Sequence, residues 1–229
     1  MAASGSVTVV AMADTHMFFE DLTVPPGDLL VHAGDHARGG SLSQLEEAAA
    51  WLGSLPHRHK VAIAGNHDWA FVRTPRQARA LFERYGIHYL EDEELCLEGL
   101  RFWGTPWQPE YNEWAFNLPR GEALARKWAL IPRGLDVLIS HGPPQGIGDG
   151  SSMGPQRAGC ADLRARVEAV QPRLHLFGHI HEAGGAWRLG ATTYVNCTTW
   201  ECERGCTVIE LAPGEALPEL SLPPELSAW

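Results

Sequence analysis

Five strongly apolar runs in this chain each end in a short polar cluster, and this arrangement limits the folds available to it. The runs are typical of strands buried on both faces, since such strands are almost continuously apolar. The polar clusters are, in chain order, Asp14-Thr15-His16, Gly34-Asp35, Gly65-Asn66-His67-Asp68, Ser140-His141-Gly142 and Gly178-His179-Ile180-His181. Because the polar sites of open α/β sheets lie beyond the carboxyl ends of the strands, we expect the five clusters to meet on one rim of one sheet.

Segments with the pattern of amphipathic helices alternate with the apolar runs. Segment 41–55 starts with Ser41 and has a Gln or Glu three residues later, a pattern typical of a capped helix start. Segment 74–86 has a proline near its first turn and a glycine at its end, which also favours a helix. Helices are predicted over 121–131 and 160–172 as well. The alternation indicates the α/β class, a layered fold in which helices cover the faces of sheets.

Composition and charge restrict the class of protein and its partners. The 229 residues are 45% hydrophobic and 20% charged, and we expect residues 1–229 to form one domain with a Pro-rich, irregular tail over 212–229. The net charge of −10 argues against partners such as extended nucleic acid or an anionic membrane. Without a basic leader or an apolar run of about 18 residues, the sequence predicts a cytoplasmic protein. It does not indicate an oligomeric state.

Two histidines close together follow the last of the five runs, LHLFGHIH. His179 and His181 are separated by one residue, and in an extended strand such positions point to the same side. Two neutral imidazoles directed at one place suit a divalent metal ion. The pair alone is weak support, so a metal site here requires ligands from the other clusters.

The five clusters, taken in order, resemble the motif blocks of the calcineurin-like metallophosphoesterase superfamily, which are D-x-H, G-D, G-N-H-[DE], H and G-H-x-H. All five are present between residues 14 and 181. The stretches GTPWQPEYNEWAFN, SHGPPQGIGD and FGHIHEAGG are similar to the small phosphodiesterases of the metallophosphoesterase-domain (MPPED, or 239AB) type. The second block, GDHARGG, has Arg38 where the protein phosphatases of the superfamily have an aspartate, which disfavours that activity.

The resemblance implies a four-layer sandwich, in which two mixed β-sheets are flanked by helices, and a site for two divalent metal ions. By its position in the family motif, Asp35 bridges the two ions, since a carboxylate has two donor oxygens. The remaining ligands would be Asp14, His16 and His181 for the first ion, and Asn66, His141 and His179 for the second.

Two divalent ions about 3.5–4 Å apart clamp a phosphoryl group and activate the water between them. The resemblance therefore implies in-line attack on phosphorus by a metal-bridging hydroxide. Nitrogen and oxygen ligands without thiolate fit manganese, iron, cobalt, nickel or zinc and do not choose among them. Manganese is the ion we expect first. The charge of two such ions outweighs the carboxylates of Asp14 and Asp35, so the site attracts a phosphodiester despite the acidic surface.

Three residues are predicted to contact the substrate. His67 directly follows Asn66, and the superfamily uses this histidine to stabilise charge on phosphorus oxygens or to protonate the leaving group. Asn66 itself would lie beside the substrate, and His36, directly after Asp35, would face it. The predicted catalytic residues are His67 and the bridging Asp35, and Asp68 is predicted to orient the loop.

Three tryptophans, Trp103, Trp107 and Trp114, lie between the third and fourth blocks. The sequence favours packing of these side chains at an edge of the core. The alternative is stacking on the base of a bound nucleotide.

The function predicted from the sequence is metal-dependent hydrolysis of small phosphodiesters, cyclic nucleotides among them. A phosphomonoesterase acting on nucleotides or sugar phosphates remains an alternative, because it would use the same ligands. A further alternative is a nucleotide-binding or scaffold protein that keeps the metals and turns over slowly. The presence of every motif ligand favours an active enzyme.

Overall fold

Two six-stranded β-sheets form the centre of the computed structural model of the chain, which describes residues 5–152, 156–212, 214 and 217–223. The strands within these residues are β1 (Val7–Met12), β2 (Leu29–His32), β3 (His59–Ala62), β4 (Ile87–Tyr89), β5 (Glu93–Leu97), β6 (Leu100–Thr105), β7 (Gln108–Pro109), β8 (Asn117–Leu118), β9 (Val137–Ser140), β10 (Leu174–Phe177), β11 (Gly185–Leu189), β12 (Thr192–Asn196), β13 (Thr207–Leu211) and β14 (Glu219–Ser221).

Each large sheet is mixed, with a parallel centre and antiparallel strands at one or both edges. The first has the order β14-β13-β1-β2-β3-β4, in which β1 to β4 are parallel and β13 is antiparallel to β1. The second has the order β11-β12-β10-β9-β6-β5, in which β12, β10, β9 and β6 are parallel. Parallel neighbours require long crossover connections, and the helices of the chain lie in several of these connections. The short strands β7 and β8 pair separately.

The helices begin where local sequence signals place them. Ser41 accepts a hydrogen bond from the backbone N–H of Gln44, a cap that stabilises a helix by about 1 kcal/mol. Pro75 occupies the first turn of the third helix, where its missing N–H has no partner to lose. The helices are α1 (Leu42–Ser54), α2 (Ala70–Arg73), α3 (Pro75–Arg84), α4 (Glu122–Trp128) and α5 (Ala161–Val170), with 3₁₀ turns at Phe19–Asp21 and His181–Ala183.

Three apolar clusters hold the layers together. Side chains of both sheets, such as Val31 and Leu176, are fully buried in the cluster between the sheets. A second cluster lies between α1, α3 and the outer face of the first sheet, and a third between α4, α5 and the second sheet. The order helix, sheet, sheet, helix confirms the predicted α/β class and the two-sheet sandwich flanked by helices.

The Pro-rich tail differs from its predicted irregular form. Strand β14 pairs antiparallel with β13, and Leu220 packs against the cluster between the sheets, which gives this part of the tail an apolar reason to be ordered. Its flanking prolines are tolerated because β14 is an edge strand. Tail residues 213, 215, 216 and 224–229 lie outside the described residues. Among the residues that are described, no helix has the length and apolar character needed to cross a membrane.

Candidate metal centre and pocket

Strand ends from both sheets meet on one rim, so the prediction that all five ends belong to one sheet is wrong. Asp14 donates its N–H to the carbonyl of Gly34 at 3.0 Å within the first sheet, and Gly178 donates to His141 at 2.9 Å within the second. The backbone N–H of His179 donates to the Asp14 carboxylate at 3.0 Å, which ties one sheet to the other. The rim brings together all seven predicted ligands, Asp14, His16, Asp35, Asn66, His141, His179 and His181.

One group of ligand atoms comes from Asp14, His16 and His181, with all of these atoms within 4.8 Å of one another. The Nε2 atoms of His16 and His181 are 3.3 Å apart, and His181 Nε2 is 3.9 Å from Asp14 Oδ1. Asp14 and His16 are buried, whereas the His181 side chain is 25% exposed and lines a pocket. This group could hold one divalent ion.

A second group comes from Asn66, His141 and His179. The Nε2 atom of His141 is 2.9 Å from Asn66 Oδ1, and ligand atoms of Asp35, His141 and His179 lie within 4.8 Å of one another. Asn66 contributes an oxygen without adding charge, so this group also suits a divalent ion.

The carboxylate of Asp35 lies between the two groups. Its Oδ2 is 3.7 Å from His16 Nε2 in one group and 3.3 Å from His141 Nε2 in the other. Its Oδ1 accepts the backbone N–H of His67 at 2.8 Å. This placement agrees with the predicted bridge, while the roles of the individual ligands stay predictions.

A turn after β10 directs His179 and His181 to different ligand groups. The prediction that both side chains point to the same side of an extended strand is therefore wrong. The strand ends at Phe177, His179 has a φ of 70°, and His181 begins a 3₁₀ turn. Asp14, His16 and Asp35 also have positive φ values. Such conformations cost of order 1–3 kcal/mol each for residues other than glycine and cluster at functional sites.

Two motif glycines are required by close packing against ligand side chains. A Cβ on Gly65 would lie 2.2 Å from Asp35 Oδ1 and 2.6 Å from His141 Cε1. A Cβ on Gly178 would lie 2.6 Å from Asp14 Oδ2. At these two positions the glycine therefore lets a neighbouring strand bring its ligand close.

Asp68 ties the second and third clusters together. Its buried carboxylate accepts backbone N–H groups of Asp35, His36, Ala37 and Gly65 at 2.8 to 3.3 Å. Burial raises the pKa of Asp68, but the attraction and hydrogen bond of the His36 ring outweigh it and the net pKa is lowered. Asp68 therefore orients the loop, as predicted, through its contacts with four backbone donors.

His36 does not face the substrate pocket, contrary to the prediction. Its ring is fully buried, with Nδ1 at 3.0 Å from Asp68 Oδ2 and the ring stacked on His32 at a centroid distance of 4.0 Å. The Asp68 carboxylate holds the ring inward, because a buried carboxylate and an imidazole side by side gain a strong hydrogen bond.

Charge within the rim is balanced by an ion pair between Asp35 and His141. Burial lowers the pKa of His141, but attraction to the Asp35 carboxylate outweighs it and raises that pKa to about 9. Burial raises the pKa of Asp35, yet the nearby His141 lowers it well below its usual range. By contrast, desolvation and the charge of His141 lower the pKa of His179 to about 4. In the metal-free rim, therefore, His141 is protonated at neutral pH and His179 is neutral.

The donor set fits divalent ions of the transition series. His141 Nδ1 lies 2.9 Å from the carbonyl oxygen of Ala33, and His16 Nδ1 lies 3.3 Å from that of Ala37. Since a carbonyl only accepts, these Nδ1 atoms carry hydrogen and the Nε2 atoms face the rim. Metal-ligating histidines in proteins are oriented in the same way.

His67 lies beside the rim and lines the pocket. Its Nδ1 is 2.7 Å from the carbonyl oxygen of Arg38, its ring meets His16 edge-on at a centroid distance of 4.6 Å, and Trp114 lies 4.2 Å away. A ligand atom of His67 also lies within 4.8 Å of those of His16 and Asp35. The position suits the predicted contact with substrate, and metal counts on a His67 variant separate this role from ligation.

A cavity of about 280 Å³ opens from the rim. Asp35, Asn66, His67, His179 and His181 form its floor. We call the remaining lining the outer wall, and its residues are Pro109, Glu110, Tyr111, Trp114, Asn117, Arg120, Gly142, Pro143, Ser151, Ala158, Ile180 and Glu182.

Apart from Trp114, for which the sequence offered base stacking as an alternative, the outer wall was not predicted from the sequence. Most of its residues lie in the segments after β6 and β9, which include the short strands β7 and β8, whereas Ile180 and Glu182 follow β10. Strands β6, β9 and β10 are parallel neighbours and so end on the same side as the rim. Two signals could have identified this wall. The strands end in the same direction as the rim, and the segment after β6 is the stretch that resembles the small phosphodiesterases.

The three tryptophans divide between core and pocket. Trp103 and Trp107 pack against the third apolar cluster, and Trp107 donates its Nε1–H to Asp92 at 2.9 Å. Trp114 lines the pocket. Packing at a core edge is confirmed for the first two, and for Trp114 the structure shows contact with the pocket.

The sequence model of calcineurin-like phosphoesterases matches residues 7–183, a stretch that includes all five strand ends. The chain belongs to the calcineurin-like phosphoesterase family. It is therefore a metal-dependent phosphoesterase, and the two ligand groups of the rim are its candidate metal site.

Individual proteins of this family and fold are also similar to the chain. Metallophosphoesterase domain-containing protein 1 of Homo sapiens is 42% identical over 226 residues, which cover 89% of this chain and 68% of the human protein. UPF0046 protein T07D4.2 of Caenorhabditis elegans is 40% identical over 220 residues, which cover 83% of this chain and 55% of the worm protein. A crystal structure 18% identical to this chain has a TM-score of 0.72, covering 95% of this chain and 99% of its own, and shows the shared fold.

Proposed function

We propose that the chain hydrolyses small phosphodiesters with two divalent metal ions. The observation that carries this proposal is the position of Asp35, whose Oδ2 lies 3.7 Å from His16 Nε2 and 3.3 Å from His141 Nε2. A carboxylate shared by two ligand groups is what a pair of adjacent ions requires.

The residues of the rim have separate tasks in this proposal. When bound, the ions supply Lewis acidity toward the phosphoryl oxygens and make a nearby water more acidic. Asp14, His16 and His181 would hold one ion, Asn66, His141 and His179 the other, and manganese is the metal we propose first. His67, with its Nδ1 hydrogen-bonded to Arg38, presents Nε2 as the nitrogen that assists the leaving oxygen.

The size of the pocket supports a small substrate. A cavity of about 280 Å³ accommodates a small diester such as a cyclic nucleotide. Extended nucleic acid is too large for this cavity, and the net charge of −10 would repel it. We propose the same small-molecule partner and cytoplasmic location that the sequence predicts.

The test combines metal counting with two substrates. Protein freed of metal and reloaded with Mn²⁺ should bind about two ions per chain by elemental analysis, and it should hydrolyse an aryl phosphodiester faster than the matching aryl monoester. One ion or none after reloading contradicts the two-metal site. Faster monoester hydrolysis supports the phosphomonoesterase alternative. Two bound ions with negligible turnover of either substrate support the binding or scaffold alternative.

A further inference from the structure

The ring of His67 is confined on three sides. The Arg38 carbonyl holds Nδ1 at 2.7 Å, and the His16 ring meets it edge-on at 4.6 Å between centroids. The third contact is the indole of Trp114, 4.2 Å away and inclined by 33°. Arg38 and His16 lie in or beside the motif blocks, so Trp114 is the contact that comes from the outer wall.

We propose that Trp114 is a positioning residue that keeps the His67 ring aimed at the leaving oxygen of the substrate. The proposal rests on the proposed function, in which His67 assists that oxygen. With Nδ1 occupied by Arg38, only Nε2 is available to the substrate, and its direction depends on the plane of the ring.

The backbone around Trp114 is itself fixed to the rim. The N–H of Ala115 donates to the carbonyl of Asn66 at 3.1 Å, and the buried Gln108 side chain donates to the carbonyl of Ala115 at 3.0 Å. These bonds fix the backbone directly after Trp114 to the cluster that contains His67, so the indole extends from an anchored position beside the imidazole.

Removal of the indole would leave open pocket on one side of His67. The Nδ1 hydrogen bond alone allows the ring to rock about that contact, and the His16 edge restrains it from a different side. A proton donor acts only within hydrogen-bond reach of its target, and a displacement of about 1 Å costs about 100-fold in rate. Loss of the indole should therefore lower kcat, and this effect should depend on the presence of the His67 imidazole.

A double-mutant cycle with His67→Ala and Trp114→Ala tests this dependence. The substrate is a cyclic nucleotide, whose leaving group is a ribose alkoxide that needs a proton. Trp114→Ala should lower kcat about 10–100-fold in the presence of His67 and have little further effect in the His67→Ala background. With a nitrophenyl diester, whose leaving group needs no proton, Trp114→Ala should cause a much smaller loss. Trp114→Phe, which keeps an aromatic face, should restore most of the activity.

Tyr111→Ala provides the matched control, because Tyr111 lines the same wall. Its effect should fall mainly on KM and should add to that of His67→Ala. Independently of activity, the ring protons of His67 in the metal-free protein should lose the ring-current shift of the indole in Trp114→Ala and keep an aromatic shift in Trp114→Phe. The unfolding temperature and the metal count identify a variant that has simply lost its fold.

Additive losses from His67→Ala and Trp114→Ala in an active enzyme overturn the positioning role and leave the proposed function intact. Unchanged His67 ring shifts in Trp114→Ala overturn it as well. A parent protein without metal-dependent hydrolysis overturns the proposed function and this inference together.

Discussion

The rim and the outer wall of the pocket differ in how firmly each is held. Ligands on the rim are mostly buried, and Asp68 alone binds four backbone N–H groups there. The outer wall consists mostly of irregular segments and very short strands, and its Tyr111 is 45% exposed. The difference indicates that the rim provides a fixed chemistry, while the wall is the part in which substitutions can change the substrate.

A carboxylate shared by both ligand groups gives the strongest test of this difference. Asp35→Ala removes a ligand from each group at once, so activity should fall by more than about 1,000-fold, well beyond the roughly 10–100-fold expected of an indirect supporting contact. Elemental analysis of the reloaded variant should show fewer than two ions, and circular dichroism of the metal-free protein should match the parent, because the rim lies outside the apolar clusters.

Two controls refine the Asp35 result. Asp35→Asn keeps an oxygen for the N–H of His67 and loses the charge, so a similar loss of activity assigns the effect to ligation. Tyr111→Ala on the outer wall should change KM by only a few fold. If Asp35→Ala stays within tenfold of the parent, Asp35 is not the bridge.

Loss of a side chain that orients the rim should cost less metal affinity and activity than loss of a metal ligand. Asp68→Asn replaces one acceptor oxygen with a donor that faces backbone N–H groups, which displaces Asp35 and Gly65. Metal affinity should fall about 10–100-fold, as for other groups that orient ligands. Titration of the metal-free variant with Mn²⁺ measures this change.

The matched control for Asp68 is Asp136→Asn. Asp136 lies just before β9, at the opposite end of the sheet, where it accepts the N–H of Arg101 at 2.9 Å and pairs with Arg173. This variant should lose stability and keep the metal affinity of the parent. Equal metal affinities in the two variants would show that Asp68 supports the fold in general.

The same difference explains which features were visible in the sequence. Apolar runs alternating with helical segments predicted the α/β class, and the polar ends of the runs predicted that the ligands meet, because burial follows from residue type. The two-sheet sandwich was implied by the family resemblance. The φ of 70° at His179 and the inward ring of His36 were not predictable, since they depend on the neighbouring carboxylates of Asp14 and Asp68. The outer wall has no periodicity, and β14 is a short strand whose Leu220 packs against a cluster built from residues throughout the chain.

The smallest effect that we predict for the rim concerns the proton on His141 and its competition with metal binding. An ion needs a neutral Nε2, and the pKa of His141 in the metal-free protein is raised to about 9 by Asp35 despite burial. Below that pH an ion must displace the proton, so the apparent affinity for the ion bound by His141 should fall about tenfold for each pH unit below 9. His179, with a pKa of about 4, and Asp35, with a lowered pKa, should release none at pH 7.

Calorimetric titration with Mn²⁺ at pH 7 in two buffers of different ionisation enthalpy counts the released protons. We expect His141 to contribute about one of these protons at pH 7 and none well above pH 9. Glu182→Gln on the outer wall should leave the count unchanged. Burial raises the pKa of Glu182, but hydrogen bonds from Ser152 outweigh this and lower it, so the carboxylate is already ionised at pH 7. A count of zero at pH 7 would mean that His141 is neutral before metal binds, and the proton on His141 would have no part in setting metal affinity.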